Sequence, residues 1–122
     1  MFGSGTPVLL KREDGLLAGR FKAMASACEA LIDTADEPAG RRVFDAVLYE
    51  AFRLEEKFSR YIPGNIVDRL NRSNGLPVTV DDETADLLDY SAHLFVLSDG
   101  LFDVTSGVLR RAWRFDGSTH VP

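Results

Sequence analysis

Apolar and polar residues recur with two different periods along this 122-residue chain. From about Arg41 to Arg60, apolar residues return every three or four positions, which predicts a long helix. Residues 81–100 show the same period and predict a second helix, with Asp81 as its N-cap and Gly100 as its stop. A third helix is predicted from about Thr105 to Trp113.

Alternation with a period of two is confined to shorter stretches. Residues 7–11 predict a short strand, and residues 77–80, "PVTV", predict another. Residues 20–33 predict a single longer strand, with Phe21 and Cys28 on opposite faces. We therefore expect only a few strands for the helices to cover.

The polar stretch "TADEPAG" at 34–40 predicts a loop, and residues 65–71 predict a short helical turn. This order of strands and helices is typical of an α+β (α/β-like) fold, in which helices pack on a small sheet. The length predicts one domain spanning residues 1–122. A sheet made only of these strands would be thin, so the fold is expected to be incomplete, with more strands after Pro122.

Composition and charge narrow the function classes. Nineteen acidic residues against 14 basic ones give a net charge of -5, and the basic residues are scattered, so a nucleic-acid partner is disfavoured. No apolar segment approaches the length of a membrane span, and no signal peptide is visible. The sequence as given therefore predicts a cytoplasmic location.

Few residues suggest metal or nucleophilic chemistry. The single cysteine, Cys28, excludes an internal disulfide, and we interpret it as a small buried core residue rather than a nucleophile. His93 has no ligand partner at helical spacing, and His120 lies in the polar tail. The sequence predicts no metal ligand and no catalytic residue in this chain.

Two stretches carry candidate binding chemistry, each with a structural alternative. Tyr61 stands where the first helix meets Pro63-Gly64; its ring either covers the helix end or offers a platform for a flat heteroaromatic ligand. In the segment 98–113, Phe102 is either a core plug or a ligand contact, and Asp103 caps the helix that follows. The helix N-terminus there could also hold an anionic or polar ligand group.

Four sequence blocks in series resemble the ApbE family, the FAD:protein FMN transferases. They are "AMAS" at 23–26, "FSRYIPGNIVDRLN" at 58–71, "GLPVTVD" at 75–81 and "SDGLFDVTSGVLRRAWRF" at 98–115. Family members typically show "A-M-G-T", "F-S-x-Y/F-x-P-x-S", "G-x-P-V-x-V-S" and "G-A-F-D-x-T-V-G-P-L" at the corresponding places. Ala25-Ser26, Asn65 and Leu101 depart from this pattern, and "TSGVL" replaces "TVGPL".

The resemblance implies an enzymatic activity for the complete fold. Family members move the FMN portion of FAD onto a Thr or Ser hydroxyl of a target flavoprotein through a phosphoester bond, releasing AMP and using magnesium; some hydrolyse FAD instead. Many are exported lipoproteins.

The resemblance also implies FAD-binding roles for six residues, namely Met24, Tyr61, Leu101, Phe102, Asp103 and Thr105. Met24 would lie against the flavin nucleotide, and Tyr61 would stack on the isoalloxazine ring. The segment 101–103 would contact FAD with the support of Thr105. Trp113 would be a packing residue.

Family members are much longer than this chain, and their later half carries the magnesium ligands. The expectation is therefore the N-terminal, FAD-binding portion of a flavin transferase, with magnesium bound by residues outside this chain. A missing C-terminal half or a second chain would complete it. The alternative is a truncated module that binds flavin or a partner subunit without catalysis.

Overall fold

The computed structural model describes residues 5–111. Its elements are the strands β1 (Val8–Lys11), β2 (Leu17–Ala23) and β3 (Ser26–Ile32), the helices α1 (Glu37–Phe58), α2 (Ile66–Asn71) and α3 (Asp82–Leu97), and a 3₁₀ helix at Val104–Arg111. Helix α1 packs on a small antiparallel sheet, and this combination of helices and strands confirms the α+β class. In the described range, no helix is long and apolar enough to cross a membrane.

The chain divides into two compact units, Met1–Val78 and Thr79–Pro122. The first holds the three strands with α1 and α2, and the second holds α3 and the 3₁₀ helix. Each unit is described by itself below. The expectation of one domain over residues 1–122 stays a prediction.

The sheet of the first unit has the order β1-β2-β3, with both pairs antiparallel. The loop between β1 and β2 closes through the Arg12 N–H, which donates to the Leu16 carbonyl over 2.8 Å. Gly15 in this loop has a φ of 87°, a conformation that glycine adopts without steric cost. The strand predicted at residues 7–11 is confirmed as β1.

The prediction of one strand over residues 20–33 is wrong, because the chain reverses at Met24 and Ala25. Both residues have positive φ angles, 54° and 57°, as a two-residue type I′ hairpin turn requires. The reversal pairs Phe21 with Cys28, so these residues share one face of the sheet instead of lying on opposite faces. Cys28 is partly buried against the core rather than fully buried.

Helix α1 begins before the predicted Arg41, at Glu37, and residues 37–40 of the predicted loop are helical. Asp36 is the N-cap, and its carboxylate accepts a hydrogen bond of 3.1 Å from the Ala39 N–H. Pro38 lies in the first turn, where the missing N–H costs nothing. The polar and proline-containing stretch is therefore a helix start.

The core lies between α1 and the inner face of β2. Its buried members are Leu17, Phe21, Ala23, Ile32 and Phe44. Phe44 is completely buried, and its ring lies directly over Gly19, where any side chain would overlap it. Gly40 lets the helix approach the Leu17 side chain in the same way. These two glycines set the distance between helix and sheet.

In the second unit, α3 confirms the helix predicted over 81–100, with Asp81 as its N-cap residue. Its end differs from the prediction, since Ser98 is the C-cap and the left-handed residue after it is Asp99. The Gly100 N–H donates to the Phe95 carbonyl over 2.8 Å and the Asp99 N–H donates to the Val96 carbonyl over 3.1 Å, which is a Schellman motif.

Two further predicted elements differ from the structure. Residues 77–80 form no strand, and the boundary between the two units falls within this stretch. The third helix is of the 3₁₀ type and begins at Val104. Its predicted end at Trp113 lies outside the described residues.

Candidate functional site

A cleft of about 250 Å³ opens in the first unit between the β2–β3 hairpin tip and the C-terminal end of α1. The described residues that line it are Met24, Ala25, Leu54, Glu55, Phe58, Ser59, Arg60 and Tyr61. Most of these side chains are apolar or aromatic. Such a lining suits a flat organic ligand more than a small ion.

The hairpin tip forms one wall of the cleft and is tied to α1. The backbone N–H of Met24 donates a 3.0 Å hydrogen bond to Oε1 of Glu55. Cross-strand pairing of Ala23 with Ser26 fixes the two residues of the turn between them. The Met24 side chain remains 57% exposed, so its thioether is available to a ligand.

Tyr61 also lines the cleft, from the turn that follows α1. The helix ends because Ser59, its C-cap, adopts an extended conformation, and the Ser59 hydroxyl accepts a 3.2 Å hydrogen bond from the Tyr61 N–H. The Tyr61 side chain is 51% exposed. The Arg60 guanidinium lies 4.9 Å from the centroid of the Tyr61 ring, and its Nη2 donates to the Tyr61 hydroxyl over 2.8 Å.

Asn65 holds the segment that carries Tyr61. Its side-chain amide donates to the carbonyls of Glu56 (3.1 Å) and Ser59 (2.7 Å), which satisfies carbonyl groups at the end of α1. Its Oδ1 accepts a 3.0 Å hydrogen bond from the Asp68 N–H and caps α2. The departure from the family's serine at this position therefore has a clear structural role.

The second unit contains the loop between α3 and the 3₁₀ helix. The Phe102 N–H donates to the Ser98 hydroxyl over 2.8 Å, which anchors the loop to the helix end. Phe102 is 42% exposed, so the interpretation as a core plug is wrong, and Leu101 is 92% exposed. The bulkier Leu101 side chain thus projects from the loop.

Asp103 is the N-cap of the 3₁₀ helix, as predicted. Its Oδ1 accepts hydrogen bonds from the Thr105 hydroxyl (2.7 Å) and the Thr105 backbone N–H (2.8 Å). These two donors, the hydroxyl first, hold the pKa of the Asp103 carboxyl below its usual value. Asp103 is therefore a carboxylate at neutral pH, and Thr105 fixes its orientation.

The six predicted binding residues form two groups. Met24 and Tyr61 line the same cleft of the first unit. Leu101, Phe102, Asp103 and Thr105 lie on one loop of the second unit. Their contact with FAD stays a prediction for both groups.

The cleft also contains residues that the sequence did not single out. Leu54, Glu55 and Phe58 lie on the last turns of α1, and Arg60 directly precedes Tyr61. Their helical spacing shows that they share one end of α1, but only the hairpin brings Met24 to them. The packing residue predicted at Trp113 lies outside the described range.

The described residues offer no cluster of magnesium ligands. Within residues 5–111, no group of three or more His, Cys, Asp or Glu side chains lies close enough to hold a metal ion. The Asp103 carboxylate is engaged with Thr105. No metal-dependent step is therefore assigned to these residues.

The protein is thus an α+β protein with a mostly apolar cleft that is lined by a hairpin tip, the end of a long helix and an aromatic side chain. The sequence model of the ApbE family matches residues 24–122, and this chain belongs to the ApbE family. The match starts at the hairpin tip and includes both groups of predicted binding residues.

A solved structure supports the same assignment. The chain is similar to the ApbE protein of Thermotoga maritima MSB8, with a TM-score of 0.73 and 26% sequence identity over 96% of this chain. The chain spans 36% of the length of that protein. No curated protein sequence matches the chain.

Proposed function

We propose that this chain provides a flavin-contacting surface of an FAD:protein FMN transferase. Such an enzyme forms a phosphoester bond between the flavin-proximal phosphorus of FAD and a Thr or Ser oxygen of a target flavoprotein. The pyrophosphate bond breaks, AMP leaves, and the acceptor hydroxyl loses its proton. Membership of the ApbE family supports this activity at the family level.

The observation that carries the proposal is that Met24 and Tyr61, which lie far apart in the sequence, line the same cleft. An exposed aromatic ring gives a flat isoalloxazine system a stacking surface, and a methionine thioether makes favourable contacts with aromatic rings. Arg60 lies over the Tyr61 ring. A flavin ring would stack on the face of Tyr61 opposite Arg60, with Met24 against it.

In this proposal, Glu55 and Asn65 are positioning residues: they hold the segments that carry Met24 and Tyr61. Glu55 accepts the Met24 N–H and so keeps the hairpin tip beside α1. Asn65 fixes the segment that carries Tyr61 through two carbonyl groups of the helix end. Both segments are thereby set before a ligand enters, which reduces the entropy lost on binding.

The loop at residues 101–105 is proposed as a second flavin contact. Its conformation is fixed within the second unit by Ser98, which accepts the Phe102 N–H, and by the cap between Asp103 and Thr105. The exposed Leu101 and Phe102 side chains provide apolar surface. The carboxylate of Asp103 would accept hydrogen bonds from a polar group of FAD.

The proposal is tested by calorimetric titration of FAD against wild type, Tyr61→Ala and the control Tyr49→Ala. Tyr49 is an exposed tyrosine of α1 that does not line the cleft, so Tyr49→Ala measures the effect of losing an aromatic ring elsewhere on the surface. We expect Tyr61→Ala to weaken FAD binding by at least about fivefold, the lower end of what ring stacking on nucleobases contributes. Equal affinities in the two variants would reject Tyr61 as the stacking residue.

A second candidate is a flavin-binding or subunit-interaction module without catalysis. The described residues form a cleft but no cluster of metal ligands, whereas phosphoryl transfer needs a complete set of positioning and charge-neutralising groups. Incubation with FAD, magnesium and a peptide carrying an acceptor Thr, followed by mass spectrometry, separates the two. FMN transfer by this chain alone would contradict the second candidate.

A further inference from the structure

Arg60 places a positive charge at a cleft whose lining is mostly apolar or aromatic. Among the described lining residues, it is the only cation, beside Met24, Ala25, Leu54, Phe58 and Tyr61. Its guanidinium is held by two contacts with one side chain, over the Tyr61 ring at 4.9 Å and to the Tyr61 hydroxyl at 2.8 Å. The charge is thus fixed beside the proposed stacking ring.

The Arg60 charge is not neutralised by a carboxylate in the described part of the chain. Other arginines do form ion pairs with carboxylates, for example Arg20 with Glu29 and Arg72 with Asp68. Glu55, the one carboxylate of the described lining, accepts the Met24 N–H instead. A guanidinium with one of its five N–H donors bonded to Tyr61 retains donors for an anionic ligand group.

We propose that Arg60 recognises the phosphate of a flavin nucleotide, so that the cleft selects phosphorylated flavins over riboflavin. This inference rests on the proposed function, because it takes a flavin ring to stack on Tyr61. The nucleotide carries its phosphate on a flexible ribityl chain, and in this proposal the chain passes the edge of the Tyr61 ring to reach the guanidinium on the other face. Guanidinium and phosphate form directional, charge-assisted hydrogen bonds.

The discriminating probes are FMN and riboflavin, which share one ring and differ by a single phosphate. Wild type is expected to bind FMN about fivefold more tightly than riboflavin, the upper range for a solvent-exposed ion pair. Arg60→Gln is expected to abolish this ratio by weakening FMN while leaving riboflavin unchanged. Added salt is expected to reduce the wild-type ratio, because an exposed ion pair is screened.

Two charge-matched controls accompany Arg60→Gln. Arg41→Gln removes the same charge from the other end of α1, about 25 Å from Phe58 at the helical rise. Lys57→Gln removes a nearby charge, since the Lys57 ammonium lies 5.2 Å from the Phe58 ring centroid but is not in the described lining. Both variants are expected to keep the wild-type ratio of FMN to riboflavin affinity.

Several outcomes would overturn the inference. Equal weakening of FMN and riboflavin by Arg60→Gln would make Arg60 a support for the Tyr61 ring and nothing more. If Lys57→Gln lowers the ratio of FMN to riboflavin affinity as much as Arg60→Gln does, the selectivity comes from the general positive charge near the cleft and not from a contact with Arg60. Equal binding of both flavins by wild type would reject phosphate recognition while the flavin site stands, and no binding of FAD, FMN or riboflavin would reject both proposals.

Discussion

Met24 and Ala25 determine where the hairpin tip meets the cleft, and both do so from the left-handed region of backbone space. That conformation costs a non-glycine residue roughly 1–2 kcal/mol. The family pattern has glycine after the methionine, so Ala25 retains a strain that the glycine avoids. The hydrogen bond from Met24 to Glu55 helps to hold the strained turn.

Substitution of Ala25 by glycine is therefore expected to stabilise the protein. Relief of the left-handed strain, less the extra entropy of glycine in the unfolded chain, gives a gain of up to about 1 kcal/mol in the free energy of unfolding. Urea denaturation measures it. Ala30→Gly within β3, where no positive φ exists, is the control and is expected to destabilise. A loss of stability in Ala25→Gly as large as in the control would contradict the strain argument.

The Asp103 cap makes a second prediction at this scale. Because hydrogen bonds from Thr105 lower the pKa of Asp103, Thr105→Val is expected to raise that pKa toward 3.8. The cap contribution to stability is present above pH 3.8 and is lost as the pH falls through the lowered pKa. Carbon-detected NMR titration of the carboxyl group measures the shift. Ser106→Ala should leave the pKa of Asp103 unchanged, because the side-chain bonds to the Asp103 carboxylate come from Thr105.

At the scale of elements, the packing of α1 on β2 sets the position of the cleft. The fully buried Phe44 lies over Gly19, and its ring is 6.0 Å from that of Phe21. The C-terminal half of the same helix carries Glu55 and Phe58 to the hairpin tip. A change in the distance between helix and sheet would therefore move the residues of α1 that line the cleft.

The close approach at Gly19 can be tested directly. Gly19→Ala would place a methyl group in the space of the Phe44 ring, and overpacking of this kind typically costs about 1–3 kcal/mol. Gly5→Ala is the matched control, since its added methyl meets only the flexible Lys22 side chain at 3.8 Å. Chemical denaturation should show a loss in the first variant and little change in the second. Equal stability of both would mean that the helix can move away from the sheet freely.

The long elements could be predicted from sequence, and the reversals between them could not. The three-to-four-residue period of α1 and α3 reports which faces are apolar, and this signal is spread over many residues. The hairpin tip depends on two residues, Met24 and Ala25, that do not favour positive φ, so the turn had no local signature. The stretch "PVTV" has strand-like residues but no partner strand among the three described.

The same contrast applies to the site. Tyr61 could be identified from its place before Pro63-Gly64 and from the family pattern. The role of Glu55 depends on its bond with the Met24 N–H, and the role of Arg60 depends on its place over the Tyr61 ring. Neither contact can be predicted from residue spacing in the sequence.

At the scale of the whole molecule, the chain is a member of the ApbE family that matches about a third of the Thermotoga protein's length. Its described residues provide a preformed apolar cleft in one unit and an anchored loop in the other. Both correspond to stretches that the family resemblance associates with FAD. The central claim is that flavin binds at the cleft formed by the hairpin tip and the end of α1.

The most direct test of this claim is an NMR titration of the isotope-labelled chain with FAD. The largest saturable amide shifts in the first unit are expected at Met24, Ala25 and residues 59–61, and shifts in the second unit are expected at residues 101–105. Shifts in the first unit that cluster around Arg20 and Lys22 on the sheet instead, with none at the hairpin tip, would contradict the claim. The absence of any saturable shift would contradict it as well.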